Sequence, residues 1–288
     1  MSLDELVQSA DQWAKENLND DALRVLQDVD RDKVKQFLRD IQKQLHGEYV
    51  IDLAPLKETA KAVLPLLEGY EETEPYAAWL KAQLDYLDVA DQFRLTIPPP
   101  KVEPGQPPRP VPNPEPNMER EIWVKKLAPR PRPEAANPYM SRLKPIFTGQ
   151  GVPPELVWIA EVESSFDPRA RSPAGAAGLF QLMPATAKRY GLQTWPLDHR
   201  LRPDDSARAA AKYLDYLHTH FEDWRLALAA YNAGEGTVEK LLQKHKARTF
   251  DEIATHLPAE TQMFVPRVEA TLARREGLKL SQLRTHAG

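Results

Sequence analysis

The sequence contains no cysteine. That excludes disulfides, thiolate zinc sites and cysteine nucleophiles, and it leaves the redox compartment open. Long apolar runs are missing too: no stretch approaches the ~18 residues of a membrane-crossing helix. Neither sign of charge dominates. Lys and Arg number 38 against 42 Asp and Glu, a net charge of −4, without the basic excess that marks a nucleic-acid partner. The opening residues, MSLDELVQSADQW, lack the basic and apolar regions of a secretory signal, so the chain is cytosolic or starts downstream of a removed signal. Between about residues 137 and 288, strand-like alternation of any length is absent.

Proline is the residue in excess, and it is unevenly spread. Of 27 prolines, 13 fall between Pro98 and Pro133. Each proline removes an N–H donor and restricts its predecessor, so this zone predicts an extended, polyproline-like strap without helices. Inside it, Ile122, Trp123 and Val124 are apolar enough to anchor the strap to a domain. The PxxP spacing from Pro107 to Pro110 follows from composition alone.

Three domains are expected. Residues 1–96 read as a small helical domain. Val34, Phe37, Leu38, Ile41 and Leu45 form an amphipathic stripe, as do Leu3, Leu6, Val7, Ala10, Trp13 and Ala14, and further helical stretches lie near Leu56–Leu67 and Tyr76–Leu87. Its role is packing or partner binding. Residues 97–136 are the proline-rich linker. Residues 137–288 read as an all-α domain, with a capping box at Thr249-Phe-Asp-Glu252 and a left-handed glycine stop at Gly234.

The chemistry concentrates between Leu156 and Tyr190. An apolar helix (Leu156, Val157, Ile159, Val162) carries Glu163 in its last turns and is closed by Pro168. A carboxyl against an apolar face is poorly solvated, which raises its pKa and favours a proton-donating acid. The loop that follows is rich in small residues. Gly175 and Gly178 point to positive φ or close backbone approach, and Gln181 amid apolar neighbours needs a polar partner. Composition and periodicity alone make Glu163 far more readily a solvated surface group than an acid. Glu161, two residues earlier, lies about 200° round a helix and is assigned to structure. Ser164 and Ser165 lack a nucleophile-elbow context. His218 and His220, with His199, His245 and His256, are too scattered for a metal site, and no cofactor is expected. Trp158 reads as core, while Trp195 is left open between core and sugar stacking.

Residues 150–272 resemble the catalytic domain of the soluble and membrane-bound lytic transglycosylases, a family with a goose-lysozyme-like core. Three ordered motifs carry the likeness: Glu163-Ser164, Gly178-Leu-Phe-Gln-Leu-Met-Pro184, and Ala230-Tyr-Asn232. Val162-Glu-Ser-Ser-Phe-Asp-Pro168 and Pro258 to Thr261 are most similar to the membrane-bound D-type branch, without its LysM repeats. The resemblance implies a lysozyme-like all-α fold and cleavage of the peptidoglycan β-1,4 bond between N-acetylmuramic acid and N-acetylglucosamine, leaving 1,6-anhydro ends. It implies Glu163 as the single acid/base, Tyr231 as the hydroxyl touching it, and Ser172 as a loop serine positioning the muramic acid. Gln181, Met183, Asn232 and Gly178 line the saccharide groove. Phe180 stands where methionine is common. Phe264 stands where tyrosine is usual, so it is kept off the site. Asp167 and Asp198 are unmatched candidates for a second carboxylate. The resemblance also implies the periplasm or cell envelope, glycan strands as partner and no nucleic acid or metal. A protein partner at the N-terminal domain is a further expectation, and the oligomeric state stays open. The rivals are a hydrolytic muramidase and a peptidoglycan-binding scaffold of an envelope machine.

Overall fold

The structure is a computed structural model that describes residues 31–100 and 109–284. The expected stripe from Leu3 to Ala14 lies outside the described residues. Among them every regular element is a helix, and only two isolated β-bridges occur, Arg171 with Ala177 and Ala177 with Leu182.

The N-terminal part holds α1 (Arg31–Leu45), α2 (Lys57–Glu68) and α3 (Glu74–Thr96). The predicted stripe on α1 buries Leu38, Ile41 and Leu45 completely. These pack with Trp79, Leu80, Tyr86 and Phe93 of α3 into one hydrophobic core. A helix then forms where the proline density predicted none: α4, Pro116–Leu127. Pro116 occupies its first turn, where no N–H is required, and the next proline is Pro129. Trp123 of α4 is fully buried and meets Tyr86 edge-on at 5.6 Å. The extended part of the strap is stapled by Asn113. Its Nδ2 donates to the carbonyls of Glu48 at 2.8 Å and Thr255 at 2.9 Å, and its Oδ1 accepts from Val50 N–H at 3.0 Å.

The C-terminal part follows as α5 (Asn137–Thr148), α6 (Ile159–Ser164), α7 (Pro184–Arg189), α8 (Pro203–Phe221), α9 (Trp224–Ala233), α10 (Glu235–His245), α11 (Phe250–Ile253) and α12 (Ala259–Glu276). Thr249 and Glu252 form the expected capping box on α11. Gly234 stops α9 at φ 86° and ψ 141°, a positive φ but outside the left-handed helical region anticipated there. A second core gathers Phe147, Trp158, Phe166, Phe180, Leu214 and Leu228. Helix α12 serves both cores. Val265, Val268 and Leu272 belong to the second, while Ala259, Met263 and Ala270 belong to the first. The two cores therefore share one buried helix, which fixes the N-terminal helices against the C-terminal ones.

Candidate active site

Glu163 stands one residue before the end of α6. The helix is not stopped by Pro168, as the sequence implied, but by two successive left-handed residues, Ser165 at φ 53° and Phe166 at φ 64°. Ser165 N–H donates to Glu161 O and Phe166 N–H to Ala160 O, both at 3.1 Å, the reciprocal closure that usually recruits glycine. Phe166 is held in this costly conformation by burial, stacked near Tyr139 at 6.1 Å and edge-on to Trp158 at 5.7 Å. Ser164 is buried, and its hydroxyl reaches Leu179 O at 2.9 Å and Ala160 O at 3.1 Å. Ser164 therefore ties the helix end bearing Glu163 to the loop opposite, a positioning role that the sequence analysis did not assign to it.

That loop, 170–183, is locked from behind. Gly178 adopts φ 82°, and a Cβ there would sit 1.9 Å from the Arg200 carbonyl oxygen. Gly178 is therefore a close-approach point in the scaffold and not a groove-lining residue as expected. Arg200, buried, donates to Gly175 O at 2.7 Å and Leu182 O at 2.8 Å and is paired with Asp198 at 2.8 Å. Burial would raise the Asp198 carboxyl, but Arg200 and Arg171 hold it below its ordinary value. Asp198 is thus a structural anion. Asp167 accepts from Arg169 N–H at 2.7 Å and does not line the cleft. Glu161 is paired through both oxygens with Arg275, at 2.9 and 2.7 Å, a structural role as expected. Trp158 is core, whereas Trp195 is 79 % exposed and away from the cleft. Phe264 is buried in the core.

The structure brings Glu163, Ser172, Gln181, Met183, Tyr231 and Asn232 around one cleft. Gln181 has φ 45°; its amide nitrogen donates to Ala170 O at 3.0 Å and Gly178 O at 2.9 Å. Ser172 accepts from Ala176 N–H at 3.0 Å and holds the turn. Met183 is exposed at the cleft rim, just before α7. Tyr231 departs from its expected contact: its hydroxyl donates to Phe180 O at 2.7 Å, so that proton is committed and none is offered to Glu163.

The electrostatics single out Glu163. Burial raises its pKa well above the ordinary carboxyl value, the charge of Glu260 raises it further, and Arg267 opposes both. Burial, then Glu163's charge, likewise pushes the Tyr231 hydroxyl up. Glu260, on the first turn of α12, lines the same cleft and was absent from the sequence-derived site, although its Pro258–Thr261 segment had drawn notice. Burial raises it as well, against His46, a hydrogen bond from Asn232, and Arg267. Asn232 in turn accepts from Thr261 Oγ1 at 2.5 Å. The cleft thus holds two carboxyls whose pKa burial raises, Glu163 the more strongly. This is the condition of a general-acid site.

Among the described residues, an all-helical scaffold sets a desolvated glutamate at a helix end beside a locked small-residue loop, an arrangement suited to general-acid chemistry. Residues 148–254 match the family model described as the transglycosylase SLT domain. Membrane-bound lytic murein transglycosylase D of Escherichia coli K12 is 42 % identical over 139 residues, covering 47 % of this chain and 31 % of that protein. Soluble lytic murein transglycosylase of Salmonella typhimurium is 36 % identical over 121 residues, covering 39 % of this chain and 19 % of that protein. The match therefore spans less than a third of either relative. Among solved structures, a complex of the 70-kDa soluble lytic transglycosylase with bulgecin A aligns with TM-score 0.48 and 23 % identity, covering 74 % of this chain and 37 % of that one.

Proposed function

We propose that this chain is a peptidoglycan lytic transglycosylase of the cell envelope, with Glu163 as its acid/base. The observation that carries the reading is the Glu163 carboxyl, which lines the cleft, has its pKa raised by burial and lies within the residues that match the transglycosylase SLT model. Protonated Glu163 donates to the oxygen of the β-1,4 bond between N-acetylmuramic acid and N-acetylglucosamine, and the C1–O bond breaks. The muramic acid passes through an oxocarbenium-like state supported by its own N-acetyl oxygen. Glu163, now a carboxylate, accepts the proton of the C6 hydroxyl as that oxygen bonds C1 and closes the 1,6-anhydro ring. The proton given at the start returns at the end, and no water is consumed.

One observation favours a second reading. Glu260 supplies a second carboxyl in the cleft, and paired carboxyls serve hydrolytic glycosidases that activate water. Digestion of purified sacculi, with mass analysis of the products, separates the two: anhydro ends for the transglycosylase, reducing ends for a muramidase. Glu163→Gln is expected to keep the melting temperature and to lose activity by at least the ~10²–10⁴-fold typical of acid/base assistance. Near-wild-type cleavage by that folded variant would overturn the assignment. A scaffold without catalysis would leave sacculi intact in both arms.

A further inference from the structure

The cleft beside Glu163 has a wall that the family match does not include. Gln42 of α1, His46 just past its end, and Trp79 and Gln83 of α3 line it together with Glu163, Gln181 and Tyr231, whereas the family model begins at residue 148. Trp79 and Gln83 are spaced by four and lie on one face of α3. The wall is fixed in place by main-chain hydrogen bonds. Arg171 N–H donates to Pro75 O at 3.0 Å and Ala259 N–H to Gly47 O at 2.7 Å. Gln262 Nε2 adds a bond to Glu48 O at 2.9 Å, and Arg169 pairs with Glu74 at 2.8 Å.

What this wall presents is unusual. Gln83 is only 3 % exposed, and its amide oxygen is buried without a hydrogen-bond partner. The amide oxygen of Gln42 is in the same condition, and so is that of Gln181 on the facing loop. Buried polar atoms are nearly always paired, because leaving one unpaired is costly. Three unpaired amide acceptors around one cleft of about 200 Å³ call for a ligand that brings several donors into a small volume. An N-acetylated sugar does so, through its acetamido N–H and ring hydroxyls.

We propose that Gln42 and Gln83 are sugar-binding residues, and that residues 31–96 form half of a saccharide subsite adjoining Glu163. Their amide oxygens accept from the acetamido N–H and hydroxyls of one N-acetylated sugar unit. The identity of the ligand rests on the glycan-cleaving function proposed above. The N-terminal module then contributes to substrate binding and is not solely a packing or partner domain.

The test uses the full chain carrying Glu163→Gln, titrated with N,N′,N″-triacetylchitotriose and followed by calorimetry. Adding Gln42→Met and Gln83→Met is expected to weaken binding at least tenfold, one hydrogen bond being lost at each position. The melting temperature should hold or rise, since unpaired polar atoms leave the interior. Equal binding by parent and variant, or no binding by the parent, overturns the inference. A misfolded variant is bypassed by NMR of the chain without the Gln42 and Gln83 changes. There the side-chain amide signals of both residues must shift on adding the trisaccharide, and their constancy overturns the proposal equally. Sacculus digestion by the unaltered chain runs alongside. Intact sacculi with trisaccharide binding lost in the variant would sink the catalytic reading and keep the subsite. Digested sacculi with unchanged binding would do the reverse.

Discussion

Two groups of buried acids meet along α12, about two helical turns apart, and they have opposite fates. In the seam between the N-terminal helices and α12, burial works to raise Asp85, but Arg267, Arg130 and Lys126 overwhelm it and hold the carboxyl far below its ordinary value. Arg267 bonds it at 2.9 Å and Arg130 through two oxygens at 2.7 Å each. In the cleft, Glu163 and Glu260 are buried with no cation within salt-bridge reach among the described residues, and both are raised. Burial is common to the two regions, so burial alone does not decide protonation. What decides it is where the guanidinium of Arg267 points. It bonds Asp85 and the Ala82 carbonyl and lies over the rings of Tyr86 and Trp123, at 4.7 and 5.3 Å. The seam binds modules together, and the cleft is left able to trade a proton.

The strongest way to break this comparison is Arg267→Met. It strips the seam of its most buried cation and leaves Asp85 partly uncompensated. Removing one partner of a buried pair typically costs about 3–5 kcal/mol. Because Arg130 and Lys126 remain, the lower end, about 3 kcal/mol, is expected in urea unfolding at pH 7. Adding Asp85→Leu should recover part of the loss. A cost under about 1 kcal/mol for the single variant would show that the seam does not hold the modules together.

Much of this contrast was legible in the sequence, though unevenly. The stripe on α1, the capping box at Thr249 and the ordered motifs around Glu163, Gln181 and Tyr231 are local patterns, and they led to helices that the structure contains and to residues that it gathers around one cleft. The helix α4 was missed because proline count was weighed over proline position: a twelve-residue stretch opened by Pro116 and without a further proline is a permitted helix. Glu260, Arg200 and the cleft-facing Gln42 and Gln83 were missed for a different reason. Each acquires its role from residues more than ten positions away, and a side chain's distant partners leave no periodic trace. Gly178 was read as a ligand contact when its neighbour is the Arg200 backbone. A glycine reports a close approach without saying by what.

Glu119 sharpens the comparison, because it is a raised acid outside the cleft. It is buried on α4, neither carboxyl oxygen has a hydrogen-bond partner, and burial pushes it up to about 8. Below about pH 4.5 folded and unfolded chains both hold this proton, and stability is unaffected. Between about 4.5 and 8 the unfolded chain releases the proton while the folded chain retains it, so stability falls as pH rises, by up to about 1.4 kcal/mol per pH unit. Above about 8 the loss levels off. Glu119→Leu should abolish this component, so the stability gap between variant and wild type should widen from pH 5 to pH 8. A gap independent of pH would mean that Glu119 is ionised in the fold and paired in some other way.

The smallest expected effect tests the coupling inside the cleft. Glu260 raises Glu163 by like-charge repulsion, second to burial. Glu260→Gln keeps the side chain's shape and its capacity to bond Asn232 but removes the charge. The Glu163 pKa should then fall, and the descending alkaline limb of the kcat–pH profile should move to lower pH. Activity well below that limb should stay near wild type, because Glu163 remains protonated there. Two failures would be informative. A profile that does not move would mean that Glu260 is itself protonated throughout the working range and exerts no field on its neighbour. A collapse of kcat at every pH would mean that Glu260 takes part in the chemistry, which would move the reaction toward the water-consuming, two-carboxyl reading and away from the anhydro-forming one.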